Sequence, residues 1–561
     1  MAACAFQALQ PSRRSLLKLG SALGVTSLLP SRQARAQNLL VRSDVNSTAG
    51  QRMVGLYAQA VQKMQDPAIN FPPQPQSWTF QAYIHNLPVD PFHPVESGGF
   101  RPGSPALSTR VDQIYGQPAE GTPQAAWKKA ALKCWATCPH SSPWFVAWHR
   151  WYLFYFEQIV RSLSGAADFA LPYWNYASDM GPSLQLPAQF QNPVLDPTNP
   201  QSPPNPLYED LRGLGFYNPL GTGAQNLPMN DGGYLPFPAT DYNPALSGAA
   251  LFPSDDSTNF ADLPDPRYLA LGLTGRLEIQ PHDNVHVNVG GLMSNVPVAA
   301  QDPVFFVHHC QIDRLWATWQ SFPNATYNYG NASTAPSEQD WNNRKFSFVD
   351  ASGKVVEVTT AGQLDTTKLG YKYDALAPLL PRQVVAAATP SAAARAPLVL
   401  AAAQASGLRV GSGGARVTLA PAPGTNQALA SGASTPQSET LILRNVKLLS
   451  RPPAPLHVFL NLPEGTAPEL LSPFHIGILN FFNWDTGTGG PMQEQVGPAG
   501  QVTHETPSAG EFRFSVGDVL ARQRAEGLWN GGPITVTIST LGSDRSRDRT
   551  YVTIGQVELV P

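Results

Sequence analysis

Histidine is the side chain to start from, because only 11 occur in 561 residues and six of them fall in two stretches. The first runs from Cys138-Pro139-His140 to His149-Arg150-Trp151-Tyr152-Leu153. The second comprises Pro281-His282-Asp283-Asn284-Val285-His286 and Asp302-Pro303-Val304-Phe305-Phe306-Val307-His308-His309. Neutral imidazole is a common metal ligand, and an all-nitrogen set suits copper or zinc, with copper at the top of the affinity order. A zinc peptidase would carry His-Glu-x-x-His with the glutamate as general base. Here Asp283 follows His282 and no glutamate takes that place. The residues therefore point to imidazole-bound metal outside the peptidase pattern.

These rings need particular elements to bring them together. Nine helical residues advance by about 900°, so His140 and His149 would face opposite sides of one straight helix. Ser142-Pro143 supplies a break, since serine caps helices and proline is tolerated at the first helical position. The spacing predicts His149 inside a helix running to about Leu163, with Leu153, Phe156 and Val160 as its buried stripe. His140 then sits on the loop before it and folds back toward the same metal. His282 and His286, four apart, share one helix face. Asp302-Pro303 reads as the cap and first turn of a further helix through His309 to about Gln320. On that helix His309 shares a face with Phe305, Asp313 and Trp316. Phe305 is thus read as an aromatic neighbour of the ring and Asp313 as the carboxylate that fixes it. His308 points about 100° away and is set aside.

The chain is long enough for two to four domains. A net charge of −3 and a pI near 6.4 give no long-range attraction to nucleic acid or anionic lipid, so small-molecule chemistry is expected. With 55 prolines and 14% charged residues, long ordered loops should surround a compact core. Residues 1–36 read as a twin-arginine export signal. Ser12-Arg13-Arg14-Ser15-Leu16-Leu17-Lys18 leads into an apolar stretch to Leu29 and an Ala34-Arg35-Ala36 processing site, which predicts delivery to the periplasm or beyond. The stretch is too short for a membrane anchor. Cys134, Cys138 and Cys310 remain after processing, an odd count that argues against a disulfide framework.

Residues 37–350 read as a mainly α catalytic domain, a helical bundle around the metal site. Residues 351–376 form a transition, with a strand at Lys354–Val358 and Leu369-Gly370-Tyr371-Lys372-Tyr373-Asp374 closing it. Residues 377–405 are an Ala/Pro-rich linker. Over 406–561 the period becomes two, in Arg416–Leu419, Thr440–Leu443, Leu456–Leu460, Ile534–Ile538 and Tyr551–Ile554, which predicts an all-β sandwich.

Two segments carry a specific resemblance. Cys138-Pro139-His140-Ser141-Ser142-Pro143-Trp144-Phe145-Val146-Ala147-Trp148-His149-Arg150-Trp151-Tyr152-Leu153 and Asp302-Pro303-Val304-Phe305-Phe306-Val307-His308-His309-Cys310-Gln311-Ile312-Asp313-Arg314-Leu315-Trp316 resemble the copper-binding motifs of the tyrosinase and polyphenol oxidase family. The resemblance implies a binuclear centre with two copper ions. His85, His140 and His149 would bind the first, and His282, His286 and His309 the second. His85 is chosen as the upstream ligand because Phe80-Gln81-Ala82-Tyr83-Ile84-His85-Asn86 continues a helical apolar segment, whereas His93 lies in a loop between Phe92 and Pro94.

The implied chemistry is oxidation of o-diphenols to o-quinones with dioxygen, together with ortho-hydroxylation of monophenols such as tyrosine; the copper pair supplies the reactivity. Cys138, two residues before His140, matches the arrangement that family members use for a thioether to the imidazole. A Cys134–Cys138 disulfide and free buried thiols are the alternatives. Glu278, four residues before His282, matches a glutamate that in related enzymes orders a water with the asparagine directly after the first ligand of the second copper. Here that neighbour is Asp283, with Asn284 one place later. A carboxylate accepts hydrogen bonds but does not donate them at neutral pH, so the departure favours diphenol oxidation over monophenol hydroxylation. Val296, ten residues after His286, matches a small apolar position at the pocket mouth and predicts an open entrance. Leu369–Tyr373 resembles the Gly-Tyr-x-Tyr segment of plant-type enzymes. The β domain, with Val458-Phe459-Leu460-Asn461-Leu462-Pro463, resembles their C-terminal domain, which implies latency. An o-aminophenol oxidase and a haemocyanin-like dioxygen carrier are the competing readings, and homo-oligomerisation stays open.

Overall fold

The computed structural model describes residues between 39 and 560, leaving out 93–97, 177–181, 213–228, most of 232–241, 247–276, most of 328–335, 380–400, 422–438, 541–548 and some shorter stretches. The export segment, His93 and most of the linker lie outside the described residues.

Capped amphipathic helices build the first part. Ser47, Ser77, Ser104 and Thr122 each accept a backbone N–H at the start of α1 (Thr48–Met64), α2 (Trp78–His85), α3 (Pro105–Tyr115) and α4 (Pro123–Cys134), satisfying donors that a helix leaves open. α5 (Phe145–Ser164) follows the Ser142-Pro143 break; the Ser142 hydroxyl accepts the Trp144 N–H at 3.3 Å. It stops at Gly165, whose φ of 74° terminates the helix in the left-handed region. A short helical stretch, Glu278–Asp283, is interrupted by extended backbone at Gln280. Pro281 restarts it, and α6 (Asn284–Val289) continues the turn. α7 (Val304–Gln320) crosses α5 in the core, where Phe156 and Phe306 stack at 3.5 Å and Trp78 meets both edge-on.

Two small sheets brace this bundle. β1 (Leu40–Arg42) pairs in parallel with β4 (Tyr371–Tyr373), and β2 (Lys345–Val349) pairs with β3 (Val355–Thr359). The strand expected at Lys354–Val358 is thus present one residue later.

The C-terminal region is β-rich. Its strands are β5 (Ala401–Ala403), β6 (Leu408–Gly411), β7 (Ala415–Pro421), β8 (Thr440–Leu448), β9 (Leu456–Leu460), β10 (His475–Leu479), a side hairpin β11 (Gln493–Val496) and β12 (Val502–Glu505), β13 (Gly510–Ser515), β14 (Ile534–Ser539), β15 (Thr550–Ile554) and β16 (Gln556–Val560). Apart from the side hairpin they join one path, β10-β9-β14-β7-β5-β16-β8-β15-β6, with β13 also on β8. β14 shows the cause: Ile534, Val536 and Ile538 are buried while the residues between them are half-buried, a period of two with one face on the core. Ala401–Ala403 falls inside the segment read as linker, yet it pairs with β16 and β7, so the ordered domain starts earlier than composition suggested.

Among the described residues the two regions keep separate apolar cores, apart from two side chains. Ile478 and Phe482, from β10 and the turn after it, belong to the core of the helical region. No helix among the described residues is long and apolar enough to cross a membrane.

Candidate metal centre

α2 ends on His85, the loop before α5 carries His140, and α5 itself carries His149. One ligand atom from each of these, with Cys138 Sγ, lies within 4.8 Å of the others. A second group of the same size comprises His282, His286, His308 and His309. The two face each other: the His149 and His309 rings stack at 4.2 Å, and His140 and His282 lie 6.2 Å apart. Phe305 is wedged between them, 4.9 Å from His85 and 4.1 Å from His309, and Phe145 touches His149 and His282 at 4.5 and 4.7 Å.

One orientation rule recurs. His85 Nδ1 meets the Val296 carbonyl at 3.0 Å, His149 Nδ1 the Phe145 carbonyl at 2.8 Å, His282 Nδ1 the Asp283 carboxylate at 2.8 Å, and His286 Nδ1 the Met293 carbonyl at 2.9 Å. An oxygen acceptor at Nδ1 fixes the tautomer, so the lone pair sits on Nε2. Those Nε2 atoms turn inward; at His85 and His282 they are buried with no hydrogen-bond partner. Burial, reinforced by neighbouring imidazoles, lowers the pKa of His85, His140, His282, His286 and His309 well below the ordinary value, and burial brings His149 down to about 3. The rings are neutral at pH 7, the form that binds metal. Orphaned, neutral, inward nitrogens in two facing sets fit two imidazole-bound ions, and the donor chemistry suits copper.

Other expected site residues take different parts. Asp313 does not reach His309. Its carboxylate accepts from Arg42 at 3.1 Å, Arg150 at 2.5 Å, Tyr371 at 2.7 Å and Tyr373 at 2.5 Å, while His309 Nδ1 has no partner. Charge decides this: two guanidiniums outbid a neutral ring one turn away. Val296 is 2% exposed, so no open entrance stands there; its carbonyl, rather than its side chain, serves the site. Asp283 is occupied with the His282 ring, and burial pushes its carboxyl well up. Both Glu278 oxygens accept the Ser141 N–H, at 2.9 and 3.1 Å, tying the second cluster to the loop of the first. Cys138 Sγ lies 3.9 Å from His140 Nε2 and 3.4 Å from His149 Nε2, and Cys134 and Cys138 form no disulfide. His308, set aside on helix geometry, is in the second group.

Sequence reasoning missed Phe482. Its ring, fully buried, stacks on His286 at 4.1 Å and lies 5.6 and 5.7 Å from His282 and His140. Asn480 accepts the Phe482 N–H at 2.9 Å and donates to Asn284 Oδ1 at 3.4 Å. Arg451 holds the carbonyls of Phe481 and Trp484 at 2.9 and 2.7 Å, and Trp484 stacks on Phe512. The local signal was an aromatic cluster, Phe481-Phe482-Asn483-Trp484, in a β domain.

Residues 75–322 match the family model described as the common central domain of tyrosinase, and residues 336–382 match the polyphenol oxidase middle domain. Tyrosinase HcTyr1 of Hahella sp. (strain CCB-MM4) is 31% identical over 337 residues, 58% of this chain and 61% of that protein. The chloroplastic polyphenol oxidase of Spinacia oleracea is 30% identical over 259 residues, 42% of this chain and 37% of that protein. The chain thus spans less than two thirds of the length of these relatives. Among solved structures, latent apple tyrosinase aligns with a TM-score of 0.49 at 19% identity, covering 93% of this chain and 97% of that one.

Proposed function

The chain belongs to the tyrosinase and polyphenol oxidase family, and from that premise we propose that it oxidises o-diphenols to o-quinones with dioxygen, and that it is folded in a latent form. The observation that carries the proposal is the pair of facing histidine sets with Nε2 turned inward. Bound copper supplies the electron exchange with dioxygen. His85, His140 and His149 would hold one ion, and His282, His286 and His309 the other.

The chain's own residues do the rest. Phe145 and Phe305 wall the centre against water. The Phe482 phenyl, flat on His286, takes the place a substrate ring needs. Glu278 accepts the Ser141 N–H and Asp283 the His282 Nδ1–H, so both carboxyls help hold the two clusters, and Asp283 stands where the resemblance places a water-ordering asparagine. That supports diphenol oxidation ahead of monophenol hydroxylation. Cys138 Sγ beside His140 supports a thioether, formed as the thiol and a ring C–H give two hydrogens to the dioxygen that the reaction uses, which a digest would show as a peptide lighter by two hydrogens. Arg13-Arg14 supports export, which sequencing of the mature N-terminus would check.

Oxygen uptake by the copper-loaded chain tests the reading, with catechol, L-DOPA, tyrosine and an o-aminophenol assayed side by side on wild type and Phe482→Ala. Removing the plug is expected to raise kcat/KM on diphenols by roughly 10-fold or more, as the loss of about 1.5–3 kcal/mol of phenyl burial implies. Tyrosine is expected to trail. Two bound coppers with no uptake by either form would sink the oxidase reading; oxygen bound once without turnover would favour a carrier, and a preference for the aminophenol would move the substrate class.

A further inference from the structure

The second cluster holds four imidazoles, and they are held in two different ways. His282 and His286 are fixed at Nδ1 by Asp283 and the Met293 carbonyl. His308 and His309, adjacent on α7, have no such anchor: His309 Nδ1 has no partner, and neither nitrogen of His308 has one although the ring is fully buried. A buried polar group left without a hydrogen bond is unfavourable. The rings around His308 offer nothing to offset it. His282 stacks on it at 5.5 Å, His286 meets it edge-on at 4.8 Å, and Tyr176 lies at 5.8 Å. A nitrogen of His308 lies within 4.8 Å of ligand atoms of His282, His286 and His309, so a metal ion in this cluster is within its reach. His309, meanwhile, is shared: its ring stacks on His149 of the first cluster while its Nε2 approaches His286 Nε2 at 3.2 Å.

We propose that His308 is a fourth, exchangeable ligand of the second copper, completing a three-nitrogen set with His282 and His286 whenever His309 is not bound. The inference rests on the two-copper reading. Two anchored rings fix where the ion sits, and two unanchored neighbours alternate in the third position, so an incoming ion meets three lone pairs before His309 is drawn from its stack on His149. The step is a ligand exchange, with no change in oxidation state and each ring keeping one N–H.

The test counts copper rather than turnover. Metal-free full-length chain is loaded with copper(I), bound copper is measured by atomic absorption, and release is timed against a copper(I) chelator. Wild type should hold two ions. His308→Ala should keep the first and release the second about 10- to 100-fold faster, the usual scale for losing a residue that supports a metal site. His309→Ala should still bind two, the second held by His308, and the double variant only one. Should His308→Ala fail to fold, seen as loss of both ions, the count for His309→Ala decides alone. Unchanged release from His308→Ala, or a single copper in His309→Ala, would overturn the proposal. A wild-type chain that takes up no copper would overturn the two-copper reading instead.

Discussion

Asp283 follows His282 directly and is held against its ring. Its Oδ1 accepts the His282 Nδ1–H at 2.8 Å in a buried setting, which fixes the ring and raises its basicity. Asp283→Asn keeps an acceptor oxygen, so both coppers should stay bound, and it adds an N–H donor next to His282. The ratio of tyrosine to L-DOPA turnover should then rise several-fold. Asp283→Ala leaves the ring unanchored and should weaken the second copper by about 10- to 100-fold. Copper titration and paired assays check both; equal copper affinity in Asp283→Ala would refute the anchoring role. At this scale the sequence was partly legible. His282 and His286 were readable because the helical period fixes their common face. That Asp313 would not serve His309 was not readable, because a within-helix spacing cannot report that Arg42, 271 positions from Asp313, claims that carboxylate.

Elements are locked together by buried charge. Asp313 on α7 joins Arg42 on β1, Arg150 on α5 and the two tyrosines of β4, and Arg42 also bonds Glu157 at 2.9 Å and lies 3.7 Å over the Tyr371 ring. Burial works against ionisation, but Arg150 and Arg42 outweigh it and hold the Asp313 carboxyl below its ordinary range. Asp313→Ala removes the carboxylate that two buried guanidiniums share and should cost about 3–5 kcal/mol, seen as a lower urea midpoint with the copper centre lost at the same transition. In the β domain, His457 on β9 and His475 on β10 meet at 3.1 Å, and burial lowers them to about 3 and about 4. Below the unfolded value of about 6.5 the unfolded chain takes up protons that the folded pair refuses, so stability is flat above that pH and falls from there toward pH 4. Urea midpoints of the copper-loaded chain at pH 7, 5.5 and 4.5 should decline, and His475→Asn should flatten the slope; parallel slopes would refute the assignment. β9 and β14 were legible because apolar and β-branched residues dominate them. β10 was not, since Gly477 interrupts its short apolar run.

Among the described residues, two apolar side chains of the β domain cross into the helical core. Nothing near Phe482 in the sequence announces its place over His286, because that contact depends on how a domain built from residues after 400 docks on helices built before 321. Family resemblance could suggest a shielding domain but not which residue shields. Ile478 and Phe482 are buried in the helical core, and at about 1.5–3 kcal/mol each they favour the closed arrangement by roughly 10²- to 10⁴-fold. Arg451, Asn480 and Trp484 hold the turn that presents Phe482, so little is lost in ordering it on closure. If closure is held by these contacts rather than by the connecting backbone, cutting the chain within 380–400 should not by itself release activity. The nicked protein should run as one species on size exclusion and stay close to the intact chain in L-DOPA oxidation. Phe482→Ala in the same nicked protein should raise that rate by roughly 10-fold or more, and Ile478→Ala by less, because the smaller gap leaves the His286 face covered. Full activity on nicking alone would place the restraint in the connection, not in the two apolar side chains.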